Sequence, residues 1–186
     1  MELFTSFLQV GLNHILEGYD HLLFLLGLII VADNLRGLFP VITAFTITHS
    51  TTLILSALGI LSLNPSITEA LIALSIVYVG VENLYRKKMK LRWLISGGFG
   101  LVHGAGFSGH LTEMLKNVLG MNNIWFPLIG FNVGIELGQL IVISLVYPIM
   151  YLIKNEKIKN SFVQKMSIGI AAAGLFLLIS RTFLSF

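Results

Sequence analysis

From Gly37 to Thr68 the chain carries no Asp, Glu, Lys or Arg. A run of that length exceeds the roughly 20 residues with which an α-helix crosses a bilayer. The rest of the sequence has the same character: 55% of the 186 residues are hydrophobic and 11% are charged, against about 25% charged in an ordinary soluble domain. A soluble fold of this size cannot hide so much apolar surface. The composition therefore specifies an all-α integral membrane protein. It excludes a disordered chain, and the absence of cysteine excludes a disulfide scaffold and thiolate metal sites. No nucleic-acid partner is expected from the net charge of +3, because the basic residues sit in short clusters between apolar runs. No cleavable signal peptide is expected, since the first apolar run is interrupted by His14, Glu17, Asp20 and His21.

Hydropathy and helix breakers predict six transmembrane helices over roughly 5–32, 38–61, 67–86, 93–117, 124–153 and 163–184, forming a single polytopic domain over 1–186. Six spans alternate the connections between two sides. Arg36, then Arg86, Lys87, Lys88, Lys90 and Arg92, then Lys154, Lys157, Lys159 and Lys165 all fall on one side. Of the 12 basic residues only Lys116 and Arg181 do not. The positive-inside rule makes that side cytoplasmic and places both termini outside the cytoplasmic membrane.

The residues that cost energy inside lipid carry the functional information. A charged side chain at the bilayer centre costs roughly 2.5–3.5 kcal/mol on insertion scales and normally faces the bundle interior. The first predicted span holds Glu17 and Asp20, the third Glu82 and the fifth Glu136; all five histidines, His14, His21, His49, His103 and His110, also lie in spans. On a continuous helix His14, Glu17 and His21 share one face, with Asp20 about 100° from His21. His103 and His110 repeat the i, i+7 relation, and Asn132, Glu136 and Gln139 form a polar stripe. A lone histidine is as readily an interhelical hydrogen bond as a ligand. Likewise, the stripe could zip two helices, and Glu82-Asn83 could face the basic loop. Five histidines and four acids together exceed what packing needs, and imidazole with carboxylate is the donor set of borderline divalent metals.

A weaker pattern points to a 3+3 inverted repeat. Gly11-Leu12-x-His14 followed by His21-Leu22 recurs as Gly100-Leu101-x-His103 followed by His110-Leu111, 89 positions later. Three helices separate the copies, which would invert the second, an arrangement that places substrate near the midplane in many transporters. The glycines from Gly97 to Gly109 suit either a broken helix or close helix packing.

The segments His14-Ile-Leu-Glu-Gly-Tyr-Asp20-His21, Phe45-Thr-Ile-Thr-His49-Ser50, Val81-Glu82-Asn83, Gly100-Leu-Val-His103-Gly-Ala-Gly-Phe107 and Phe131-Asn132-Val-Gly-Ile-Glu136-Leu-Gly-Gln139 resemble the HupE/UreJ family. The first is also similar to the His-x4-Asp-His signature of nickel–cobalt permeases, with one more residue between His14 and Asp20. The resemblance implies a small multi-pass protein of hydrogenase and urease maturation, regarded as a nickel permease, with nickel-enzyme maturation proteins as partners. It leads to His14, Asp20, His21 and His49 as primary ligands of Ni²⁺, Co²⁺ or Zn²⁺, with His103 as a further ligand. Glu17, Glu82, His110, Asn132, Glu136 and Gln139 are expected as additional ligands or orienting groups.

Two other classes compete. Gly106-Phe107-Ser108-Gly109 resembles the Gly-x-Ser-Gly of rhomboid proteases, but no histidine follows in the sixth span to serve as base. A zinc-dependent intramembrane hydrolase needs three ligands, a bound water and a glutamate, for which Glu17, Glu82 and Glu136 are candidates. A membrane scaffold subunit needs none of these groups.

Overall fold

The computed structural model describes residues 2–85, 91–119 and 125–183, without the side chains of 57, 107, 108, 110–112 and 115–119. The described residues form seven helices: α1 (Glu2–Glu17), α2 (Tyr19–Ile29), α3 (Leu35–Ala57), α4 (Pro65–Tyr85), α5 (Arg92–Leu119), α6 (Trp125–Leu152) and α7 (Glu156–Phe183). Leu35–Ser56, Pro65–Tyr85, Trp125–Leu152 and Glu156–Phe183 are long and apolar enough to cross a membrane, and Tyr19–Ile29 is a shorter apolar helix. The first predicted span is thus two helices, broken at Gly18. The basic cluster Arg86 to Lys90 and residues Gly120 to Asn123, between the fourth and fifth predicted spans, lie outside the described residues.

Capping residues set the starts. Asn34 Oδ1 accepts from Gly37 N at 2.8 Å and begins α3. Asn64 caps α4 through Ser66 N at 3.0 Å, with Pro65 in the first helical position where its missing N–H costs nothing. Asn155 Oδ1 accepts from Lys157 N at 3.0 Å and from Ile158 N at 3.2 Å, and Glu156 adds a favourable charge to the first turn. For that reason the segment up to Lys165, read from sequence as a polar loop, is helical. At the other end of α3, Gly59 takes a φ of +74° and Ile60 N bonds back to Leu55 O at 2.9 Å, which closes that helix four residues before the expected end.

The helices pack as three close pairs: α1 with α6, α3 with α5 and α4 with α7. Glycines make each approach close. Gly11 of α1 lies on the Phe131 carbonyl of α6, and Gly100 of α5 lies on the Phe45 carbonyl of α3. The third pair is reciprocal within itself. A Cβ on Gly80 would meet Ala171 N at 2.6 Å, and a Cβ on Gly174 would meet Val77 N at 2.8 Å. Gly100 and Gly104 of α5 accordingly serve packing: the helix runs unbroken through them, with Gly104 against the His49 carbonyl and Thr48 Oγ1 donating to Gly97 O at 2.7 Å. Gly98 is the contrast, with nothing within 4 Å of an added Cβ. We expect Gly80→Ala to lose about 1–3 kcal/mol in detergent unfolding through overpacking, and Gly98→Ala to lose nothing, because helix propensity there favours alanine.

Two apolar cores flank the middle of the bundle. One gathers Phe24, Leu25, Leu28, Ile29, Phe45, Ile76 and Ile170; the other gathers Phe7, Ile15, Leu53, Leu128, Phe131 and Ile135. Between them lie the buried histidines.

Candidate metal centre

The break at Gly18 builds this site. Glu17 ends α1, Gly18 takes an extended conformation (φ −75°, ψ 93°) without a side-chain cap, and α2 starts with Leu22 N bonding to Gly18 O at 3.0 Å. On an unbroken helix, residues seven apart rise by about 10.5 Å. Here the His14 and His21 ring centroids are 4.4 Å apart. His49 of α3 completes the group, at 5.9 Å from His14 and 5.6 Å from His21. One nitrogen from each ring lies within 4.8 Å of the others. Nitrogens bound to one cation at 2.0–2.1 Å in a tetrahedron stand about 3.3 Å apart, so a small closure of the three rings suffices.

His49 is fully buried, and neither ring nitrogen has a hydrogen-bond partner among the described residues; His21 Nε2 is buried in the same condition. An unmet buried polar atom costs about 1–3 kcal/mol. Phe131 packs on His14 at 5.7 Å and Phe45 on His49 at 5.7 Å, which keeps water away and holds the rings in place. Imidazoles converging in an apolar shell, one nitrogen of each within 4.8 Å of the others, can take a borderline divalent cation.

Residues 1–184 match the HupE / UreJ protein family. The chain belongs to that family. No curated protein and no solved structure matches it.

The other sequence-selected residues of this HupE/UreJ protein fall in different places. His103 of α5 is fully buried, with its ring 5.1 Å from that of His21. Asp20, next to His21, is ion-paired: Arg181 Nη2 of α7 donates to Asp20 Oδ2 at 2.8 Å, and the same guanidinium donates to the Glu69 carbonyl of α4 at 3.2 Å. Glu17 and Glu136 are exposed. Glu136 stands outside the cluster because the buried line of α6 runs through Leu128, Phe131, Ile135 and Gln139, and Glu136 is turned about 100° from Ile135. Glu17 is on the exposed side of α1, whose buried line is Phe7, Gly11 and Ile15. The buried cluster therefore contains imidazoles and lacks these two carboxylates.

Glu82 pairs with Arg92 at 3.5 Å, beside a cavity of about 610 Å³ also lined by Asp33, Asn83 and Lys159. Asn83 donates to the Gly27 carbonyl at 2.8 Å and accepts from Arg92 at 2.8 Å, tying α2, α4 and α5 at that end. Gln139 accepts from Thr46 at 2.8 Å, which links α6 to α3. Asn132 donates within its own helix to Leu128 O, while its Oδ1 is buried without a partner among the described residues. The side chains of His110 and Ser108 lie outside the described residues. Sequence reasoning missed Gly18, Arg181 and Ser75. Gly18 carried a signal as a glycine between acidic and aromatic residues in the middle of an apolar run, and Arg181 as a charge inside the sixth predicted span; Ser75 carried none.

Proposed function

We propose that this protein moves a divalent transition-metal cation across the cytoplasmic membrane, with nickel as the first choice and cobalt or zinc as alternatives. His14, His21 and His49 hold the cation, and His103 stands next to it. The observation that carries this reading is the convergence of three imidazoles whose buried nitrogens include both of His49, which has no hydrogen-bond partner among the described residues. Membership of the HupE/UreJ family favours the same cation class, and a chain without cysteine offers no soft thiolate for Cu(I). Asp20 serves the site indirectly in this reading: its pairing with Arg181 anchors the start of α2, and with it His21.

The membrane topology belongs to the same proposal. α1 and α2 together form one broken span, α3 to α7 supply five more, and the connections following α2, α4 and α6 face the cytoplasm, with both termini outside. Helix packing favours the inverted repeat. Exchanging the first three spans with the last three maps the α1–α6 pair onto the α5–α3 pair and leaves α4–α7 in place. Gly11 on Phe131 then corresponds to Gly100 on Phe45, and His14 beside Phe131 at 5.7 Å corresponds to His103 beside Phe45 at 5.2 Å. Broken helices at a repeat interface are a recurrent way to build a midplane ion site.

A zinc hydrolase fits less well. It needs a carboxylate beside the metal to handle a proton, yet Glu17 and Glu136 are exposed and Glu82 is engaged by Arg92. A scaffold subunit would have no use for the unmet imidazole nitrogens. Cells expressing the protein are expected to take up radioactive nickel, and His49→Ala, at equal abundance in the membrane, to lose at least about nine-tenths of that uptake, in line with the tenfold or greater cost of disturbing a metal site. Uptake equal to that of the unmodified protein would overturn the proposal, as would uptake-independent hydrolysis by the zinc-loaded protein.

A further inference from the structure

His103 is chemically distinct from the other three imidazoles because one of its nitrogens is already committed. Its Nε2 lies 2.8 Å from Ser75 Oγ of α4, and the Ser75 hydroxyl donates to the Ile72 carbonyl at 2.6 Å. A hydroxyl has one proton. We assign that proton to Ile72 O, the shorter of the two contacts, so that Ser75 accepts from His103 and Nε2 carries the ring's N–H. In a neutral imidazole this leaves a lone pair on Nδ1. That Nδ1 is buried and has no partner among the described residues. Phe24 and Phe45 pack against the ring at 5.0 and 5.2 Å, and the His21 ring lies 5.1 Å away between centroids.

We propose that His103 Nδ1 and the His21 imidazole form a second coordination position for the divalent cation, next to the His14–His21–His49 position, with Ser75 as the residue that sets the His103 tautomer. The inference rests on the reading of the triad as a cation site and extends it from a site to a path. His21 is common to both positions. A cation passing between them exchanges His14 and His49 for His103 while keeping one bond to protein throughout, so it is never stripped bare in an apolar interior, where an unpaired charge is most costly. The packing correspondence supplies the second partner: His103 occupies in its half the place that His14 occupies in the other, against Phe45 as His14 is against Phe131. Ser75 adds to the His103 half a hydroxyl at Nε2.

The test separates holding from moving. Full-length protein is reconstituted into vesicles; cobalt binding at equilibrium is read from its visible absorption, and cobalt entry into the vesicles is timed. His103→Ala and Ser75→Ala are expected to leave equilibrium binding within about threefold and to slow entry by about 10–100-fold, the range for losing an orienting partner of a metal-binding histidine. Ser75→Ala in a His103→Ala background is expected to add nothing, because Ser75 acts through that ring. Entry at the unmodified rate in both single variants would overturn the second position. Loss of binding as complete as in His49→Ala would also overturn it, in favour of one four-ligand site. Additive slowing in the double variant would reduce Ser75 to a packing residue and overturn its assigned role. If instead His49→Ala keeps full cobalt binding, the triad reading itself has failed, and that outcome is distinct from the others.

Discussion

Cobalt or nickel binding to the purified protein is expected to weaken by at least about 100-fold on His21→Ala, the top of the range for disturbing a metal-ligating histidine's support, because the substitution removes the ligand itself. His21 is the hub of the cluster. Its ring lies 4.4 Å from His14, 5.6 Å from His49 and 5.1 Å from His103, so its loss damages every pairing at once. Alanine leaves a space bordered by Phe24 and Phe45, which the apolar core tolerates at a cost of a few kcal/mol. Equilibrium dialysis with the radioactive metal, alongside a thermal unfolding curve in the same detergent, separates lost ligation from lost fold. A folded His21→Ala protein that binds within threefold of the unmodified one would end the triad assignment.

The second large effect comes from a residue with no side chain. Gly18 adopts φ −75°, which any residue accepts, so the constraint is one of space. A Cβ there would meet the His14 carbonyl oxygen at 2.5 Å and His21 Nδ1 at 3.0 Å. A backbone oxygen cannot step aside, so the strain falls on the imidazole or on the angle between α1 and α2. Gly18→Ala is expected to weaken divalent-cation binding by about 10–100-fold while leaving insertion and helix content intact. Gly98→Ala, where an added methyl meets nothing within 4 Å, is the matched comparison and should bind normally. Equal affinity in the two variants would show that the break does not position the rings.

These two residues also show where the sequence was legible and where it was not. Charge-free apolar runs bounded by Asn34, Asn64-Pro65 and the basic clusters announce the helices within a few residues, because lipid leaves a buried backbone almost no alternative to helix. The start of α7 was misplaced because Lys157, Lys159 and Lys165 look like a loop by hydropathy; the decisive cap is a single asparagine, Asn155. The imidazoles could be nominated from residue type and depth. Their meeting could not be read on a continuous-helix assumption, which separates His14 from His21 by two turns. The partners that sort the remaining residues are far away in the chain: Asp20 with Arg181, Thr46 with Gln139, Ser75 with His103. Helical periodicity carries no signal for such pairs, and the exposure of Glu136 depends on which line of α6 the neighbouring helices happen to cover.

The crossing of α4 and α7 has a mechanical consequence. Gly80 is seated on Ala171 and Gly174 on Val77, so each helix carries both a notch and the backbone that fills the other's notch. Sliding either helix lengthwise drives a side chain out of one notch and into a wall at the other. The joint therefore resists translation of either helix along the other.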